Sequence, residues 1–193
     1  MRTIMQYIIN MIPYMIISIP LYIIIKVLIL KKSQHKTNWY HEISLFVFFI
    51  YLVGLASQTI IPKIEFGVTG IGIVKGGVHT FNLIPFRAAF DAYTELQHNN
   101  LNALIINLLG NILLFVPIGF MILLLWRISK KKALVIGFSI SLFIEICQFF
   151  FPRGTDIDDL ILNTLGTFVG VILYSLISKI TSNKLDKFKT YNN

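Results

Sequence analysis

Glu145 lies in the middle of SISLFIEICQFFF, residues 139–151, where no water is expected. A carboxylate at membrane depth costs roughly 2.5–3.5 kcal/mol on insertion scales unless it is paired, hydrated or protonated, so its presence there marks a candidate site. Its chemistry would be hydrogen bonding to a ligand or general acid–base work. Other polar residues accompany it in the same apolar setting: Asn107, Asn111, Gln148 and Asn163. The segment PRGTDIDD adds Arg153, Asp156, Asp158 and Asp159, and an upstream loop adds His79, Asn82 and Arg87. Arginine's planar fork suits phosphate or carboxylate, and the amides suit sugar hydroxyls or peptide groups. Aspartates are oxygen ligands for Mg²⁺ or Ca²⁺. DIDD by itself completes no ligand set, however, and aspartate is favoured at a helix start by the helix dipole, so no metal or other cofactor is expected. There is no Ser/His/Asp or Cys/His arrangement. Cys147, the one cysteine, reads as packing, and His79 alone does not make a zinc site.

The elements that must position these groups follow from composition. The 193 residues are 55% hydrophobic and 13% charged, with mean hydropathy +0.74. Apolar runs of about 20 residues are the length of a membrane-spanning helix. Backbone polar groups in lipid must bond within their own segment, and long unalternating runs answer this as helices rather than a barrel. The expectation is an all-α integral membrane protein with five spans, at about 5–29, 43–61, 103–126, 133–151 and 159–178, forming a single domain over 1–193. The first run is too long for a signal peptide, lacks a small-residue cleavage site and has its charges after it, so it reads as a retained span. Spans one and two read as plain lipid-facing walls, with Trp39 and Tyr40 as interfacial residues.

Charge sets the orientation. Lys31, Lys32 and Lys36 follow span one, Arg127 and Lys130–Lys132 join spans three and four, and Lys179, Lys184, Lys187 and Lys189 lie in the tail. The positive-inside rule puts these segments in the cytoplasm and the N-terminus outside. With Lys26, which can snorkel inward, the inner side carries 12 basic and 2 acidic residues and the outer side 5 and 6, and Glu145 supplies the remaining negative charge, so the formal +8 reflects topology and anionic-lipid contact, not nucleic-acid binding. With a rise of about 1.5 Å per residue, Asn107, Asn111, Glu145, Gln148 and Asn163 share one layer about 5–12 Å below the outer surface. They also share faces: Gly137, Ser141, Glu145 and Gln148 on one helix, and Asp156, Asp159, Asn163, Gly166 and Gly170 on another. Gly166–Gly170 is a small-xxx-small pattern that lets helices approach closely. Asparagine, glutamine and serine also serve as interhelical glue, worth about 0.6 kcal/mol each on average. Glue does not require an ionisable acid, and Glu145 is the residue it explains least. The outer segment 62–102 opens with KIEFGVTGIGIVKGGVHT, β-branched residues broken by glycines, which suggests a short hairpin at the outer face. Pro85 breaks the chain after Ile84, leaving Phe81, Leu83, Ile84 and Phe86 to dip into the interface.

NLIPF at 82–86, NLLGNILLFVPIGF at 107–120, IEICQ at 144–148 and RGTDIDDLILNTLGTFVG at 153–170 together resemble the VanZ-like family of bacterial membrane proteins. The resemblance covers about residues 79–175, and the first two spans carry no motif of it. The family takes its name from a protein associated with resistance to teicoplanin, a lipid-bearing glycopeptide. The resemblance implies a bacterial cell-membrane location, a cell-envelope role and possible teicoplanin resistance, with no established catalytic residues. It carries over His79, Asn82, Pro85, Asn107, Asn111, Pro117, Glu145, Gln148, Arg153, Asp156, Asp159 and Asn163, and treats Asp158 as incidental. Three functions stand open. The first is an outer-leaflet pocket that binds a lipid-linked cell-wall precursor or a lipoglycopeptide, with Arg153 and then Arg87 as its anion contacts. The second is a membrane enzyme acting on such a molecule with Glu145 as acid or base. The third is a small lipid or drug transporter, for which no polar path to the inner side is visible.

Overall fold

The structure is a computed structural model that describes residues 2–30, 38–60, 64–67, 70–73, 81–87, 90, 93–94, 108–150, 154–181 and 184–189. The described parts of its apolar runs are helical: α1 (Arg2–Leu30), α2 (Trp39–Thr59), α3 (Gly110–Leu125), α4 (Lys130–Phe150) and α5 (Ile157–Ile180). All but α3 are long and apolar enough to cross a membrane. The 16 residues of α3 are the described part of the span expected over 103–126, of which 103–107 lie outside the described residues.

Local chemistry explains the helix limits. Asn38 caps α2 by accepting from the His41 N–H, so α2 starts four residues before the apolar run that marks it in the sequence. Asp156 caps α5 through the Asp158 N–H at 2.9 Å, Asp158 and Asp159 occupy its first turn, and Lys179 its last, an order that complements the helix dipole. Pro13 and Pro20 sit within α1, and Pro117 within α3.

The tightest pairing is α3 against α5, with α4 on α5, α2 on α3 and α1 on the flank of α2. Small residues make it possible. A Cβ on Gly166 or Gly170 would overlap the carbonyl oxygens of Ile112 and Val116, and one on Gly119 the carbonyl oxygen of Thr167. Each helix therefore presents glycine to the other's backbone, a contact sustained by van der Waals packing in a solvent that supplies no hydrophobic drive. Around it lie Phe115, Ile118, Ile122, Leu125, Ala133 and Val171. Most of α1 faces outward, in keeping with a lipid-facing wall. α2 does not fit that description: it buries Phe48, Leu55 and Ser57, and its Tyr51 hydroxyl donates to the Leu114 carbonyl of α3.

The expected hairpin is present as β1 (Ile64–Gly67) and β2 (Gly70–Ile73), antiparallel with Ile64 opposite Ile73 and Gly67 opposite Gly70. A second pairing has no counterpart in the sequence reading. β3 (Phe81–Asn82) runs parallel to β4 (Thr155–Asp156), with Phe81 opposite Thr155 and Asn82 opposite Asp156.

The chain also closes on itself at one end. A 3-10 helix, Lys184–Phe188, lies against the start of α2. The Asn38 amide donates to the carbonyls of Lys187 at 2.8 Å and Lys189 at 3.1 Å, and the His41 Nδ1–H donates to the Phe188 carbonyl at 2.9 Å. Phe188 meets the Tyr40 ring edge-on, and the Lys187 ammonium lies 4.5 Å from the centre of the same ring. Lys26 and Glu42 pair nearby at 2.5 Å, joining α1 to α2. Because the helices alternate in direction, Thr59, Asn111, Glu145, Gln148 and β4 gather at the opposite end.

Candidate functional site

Glu145 is buried, 5% exposed, on the face of α4 that also buries Gly137, Ser141 and Gln148. Its Oε2 accepts from the backbone N–H of Asp156 at 3.0 Å. The carboxylate thus holds the strand that leads into α5, while its Oε1 is buried without a hydrogen-bond partner among the described residues. Gln148, one turn further, donates from Nε2 to the Thr59 carbonyl at the end of α2, at 3.1 Å, and leaves its own Oε1 buried and unpartnered. The Thr155 hydroxyl is in the same state. A buried polar atom left without a partner costs about 1–3 kcal/mol, so several at one end of a bundle mark it as a candidate site.

The aspartates of DIDD each secure a different element. Asp156 Oδ1 accepts from the Asn82 amide at 2.9 Å as well as from the Asp158 N–H. Asp158, 3% exposed, accepts the Phe86 N–H at 2.6 Å. Asp159 accepts from the Asn111 amide at 2.5 Å, tying α5 to α3. Among the described residues no group of three His, Cys, Asp or Glu side chains is arranged to hold a metal ion. Asn163 lies one turn deeper, where its amide donates to Ser141 Oγ at 3.0 Å, a bond between two interior helices that reads as glue.

NLIPF is the other half of this arrangement. The Asn82 side chain accepts the Ile84 N–H at 3.2 Å, which turns the chain ahead of Pro85. Phe86 then takes φ 66°, a left-handed conformation unusual for a bulky residue, and its N–H is directed at Asp158. The turn leaves Leu83, Ile84 and Phe86 72%, 68% and 69% exposed. The tip is thus apolar and exposed, on a backbone held from below by Asn82 and Asp158.

The structure therefore brings Asn82, Asn111, Glu145, Gln148, Asp156 and Asp159 to one end and sets Asn163 a turn below. Arg87 is exposed at the edge of the same loop. His79, Asn107 and Arg153 lie outside the described residues. Thr155 and Thr59 also belong to the arrangement, with no signal in the sequence, and so does Asp158. Asp158 is the instructive case. Treated as incidental, it is the most buried of the three aspartates, and its partner lies 72 residues away, beyond any local pattern.

A sequence model of the VanZ/LLP1 family matches residues 46–178. The chain belongs to the VanZ/LLP1 family. That match begins inside α2, which agrees with the packing of α2 on α3 and extends the shared region beyond the motifs at 79–175. Protein VanZ of Enterococcus faecium is 31% identical over 148 residues, covering 72% of this chain and 78% of that one. NADH-ubiquinone oxidoreductase chain 5 of Dictyostelium discoideum is 34% identical over 117 residues, but these are 60% of this chain and 15% of the other. Long rows of Ile, Leu and Phe raise identity between any two sets of membrane helices, and that likeness carries no functional argument. No solved structure matches the chain. With its apolar helices, the chain is a VanZ-like bacterial membrane protein in a lipid environment.

Proposed function

We propose that this chain forms one membrane unit over residues 1–193, N-terminus outside and C-terminus cytoplasmic, whose outer-end polar cluster binds an amphiphilic envelope molecule. The ligand would be a lipid-linked cell-wall precursor or a lipoglycopeptide such as teicoplanin, and binding would lower susceptibility to the drug. The observation that carries this is the uncommitted Oε1 of buried Glu145, accompanied by Gln148 Oε1 and Thr155 Oγ1. Two of these three oxygens are acceptors only, so they call for donors such as sugar hydroxyls or amide N–H groups. Few convergent polar groups in apolar surroundings is the usual make-up of a ligand site, and the exposed Leu83, Ile84 and Phe86 offer contact to an acyl chain. Arg87 and Arg153 would meet phosphate or carboxylate.

The same free oxygen favours a second reading, a membrane enzyme in which Glu145 gives or takes a proton. One experiment addresses both. The protein in nanodiscs is offered teicoplanin and a lipid-linked cell-wall precursor, with Glu145→Gln in parallel. Binding without product that weakens in the variant supports the first reading. Product that disappears in the variant supports the second, and movement between leaflets would indicate transport. Absence of binding, together with an unchanged drug susceptibility in cells expressing either form, would overturn the proposal.

A further inference from the structure

At the end of the bundle away from Glu145, α4 and α5 leave a groove of about 270 Å³ open at the bundle's outer surface. Its walls are Leu134 of α4 and Phe168, Ile172 and Leu176 of α5, and its mouth holds Lys130 and Lys179. Ser175 also lines it, but that hydroxyl donates to the Val171 carbonyl of its own helix at 2.7 Å. The interior is thus apolar in effect. Lys130 opens α4 and Lys179 stands in the last turn of the antiparallel α5, so the two residues fall at one level along the bundle. Lys130 lies about 22 Å along α4 from Glu145 at 1.5 Å per residue, which makes this a separate place from the polar cluster. Among the described residues neither lysine has an ion pair, and no acidic side chain lines the groove.

We propose that this groove seats one acyl chain of an anionic phospholipid whose phosphate is held between Lys130 and Lys179. Basic pockets between membrane helices at the cytoplasmic end bind phosphate head groups in this way. The volume argues for a single chain, since it falls just short of the roughly 300–1,000 Å³ of sites that enclose a whole drug-sized ligand. The apolar walls and the paired cations divide the lipid between them, and an uncharged head group would use only the walls.

The test uses the full chain purified in mild detergent and offered phosphatidylglycerol and phosphatidylcholine of matched acyl chains, with retained lipid read by native mass spectrometry. Wild type is expected to retain one phosphatidylglycerol in preference to phosphatidylcholine. Lys130→Ala and Lys179→Ala should each reduce that preference about fivefold, from the contribution of one basic residue at an anionic surface. Lys131→Ala/Lys132→Ala, on the same basic turn but outside the groove, should leave it unchanged, and Ile172→Trp should reduce retention of both lipids by filling the groove. All the altered residues are exposed, so the variants are expected to fold. Equal retention of the two lipids by wild type, or equal loss in the groove and control variants, would overturn the proposal.

Discussion

The two oxygens of Glu145 have different fates, and substitutions separate them. Glu145→Gln keeps an acceptor for the Asp156 N–H, so the fold should persist while ligand binding falls. Glu145→Leu removes that acceptor and buries the N–H unpaired, which should cost about 1–3 kcal/mol in detergent unfolding. A result in which both variants are equally stable would mean the Asp156 contact contributes nothing. Asp158→Ala strips the partner from the Phe86 N–H. The expected outcome is faster hydrogen exchange at Phe86 and release of its left-handed backbone, which costs about 1–3 kcal/mol to hold. At this scale the sequence was readable where a residue contradicted its surroundings, as Glu145 does among Ile, Leu and Phe. Asp158 does not contradict a polar turn, and its role comes from a partner 72 residues away, which no local pattern displays.

Among the helices, the contact of α3 with α5 is the least forgiving. Gly166→Val or Gly170→Val must push a methyl-bearing carbon into the carbonyls of Ile112 or Val116. Backbone cannot yield as a side-chain tip does, so each should lose at least the roughly 1–3 kcal/mol of ordinary overpacking. Thermal unfolding in detergent would measure this, with Leu165→Val on the exposed face of α5 as a near-neutral comparison. The i, i+4 glycines announced a close approach in the sequence but not which helix would fill it. α2 was misjudged for a related reason. Leu, Phe and Val face lipid and protein alike, and it is the burial of Phe48, Leu55 and Ser57 and the bonds of Tyr51 and the Thr59 carbonyl to Leu114 and Gln148 that show it to be interior. The β3–β4 ladder escaped notice because two residues per strand leave no alternation to read.

Across the whole molecule, the polar cluster and the tail contact occupy opposite ends, which ties the functional proposal to orientation. In a Cys147→Ser background, a cysteine at Ser33 should react with an impermeant reagent only after the cytoplasmic side is opened. One at Thr69 should react in intact cells. The reverse pattern would place Glu145 toward the cytoplasm and remove the outer-leaflet reading. The hydrogen bond from Lys189 holds the Asp186 carboxyl below its ordinary range. Its contribution is therefore present at neutral pH and lost as pH falls through that lowered value. Asp186 is half exposed, so the effect on tail docking should stay below about 1 kcal/mol, read as a small change in Trp39 emission on acidification.

The grip on the tail has a consequence for how the C-terminus tolerates change. Asn38 and His41 take hold of main-chain oxygens of Lys187, Phe188 and Lys189, groups that every residue type possesses. Exchanges such as Lys184→Ser should pass unnoticed, whereas a single residue inserted after Thr181 would carry the three carbonyls out of alignment with their donors. Spacing is constrained there far more tightly than composition.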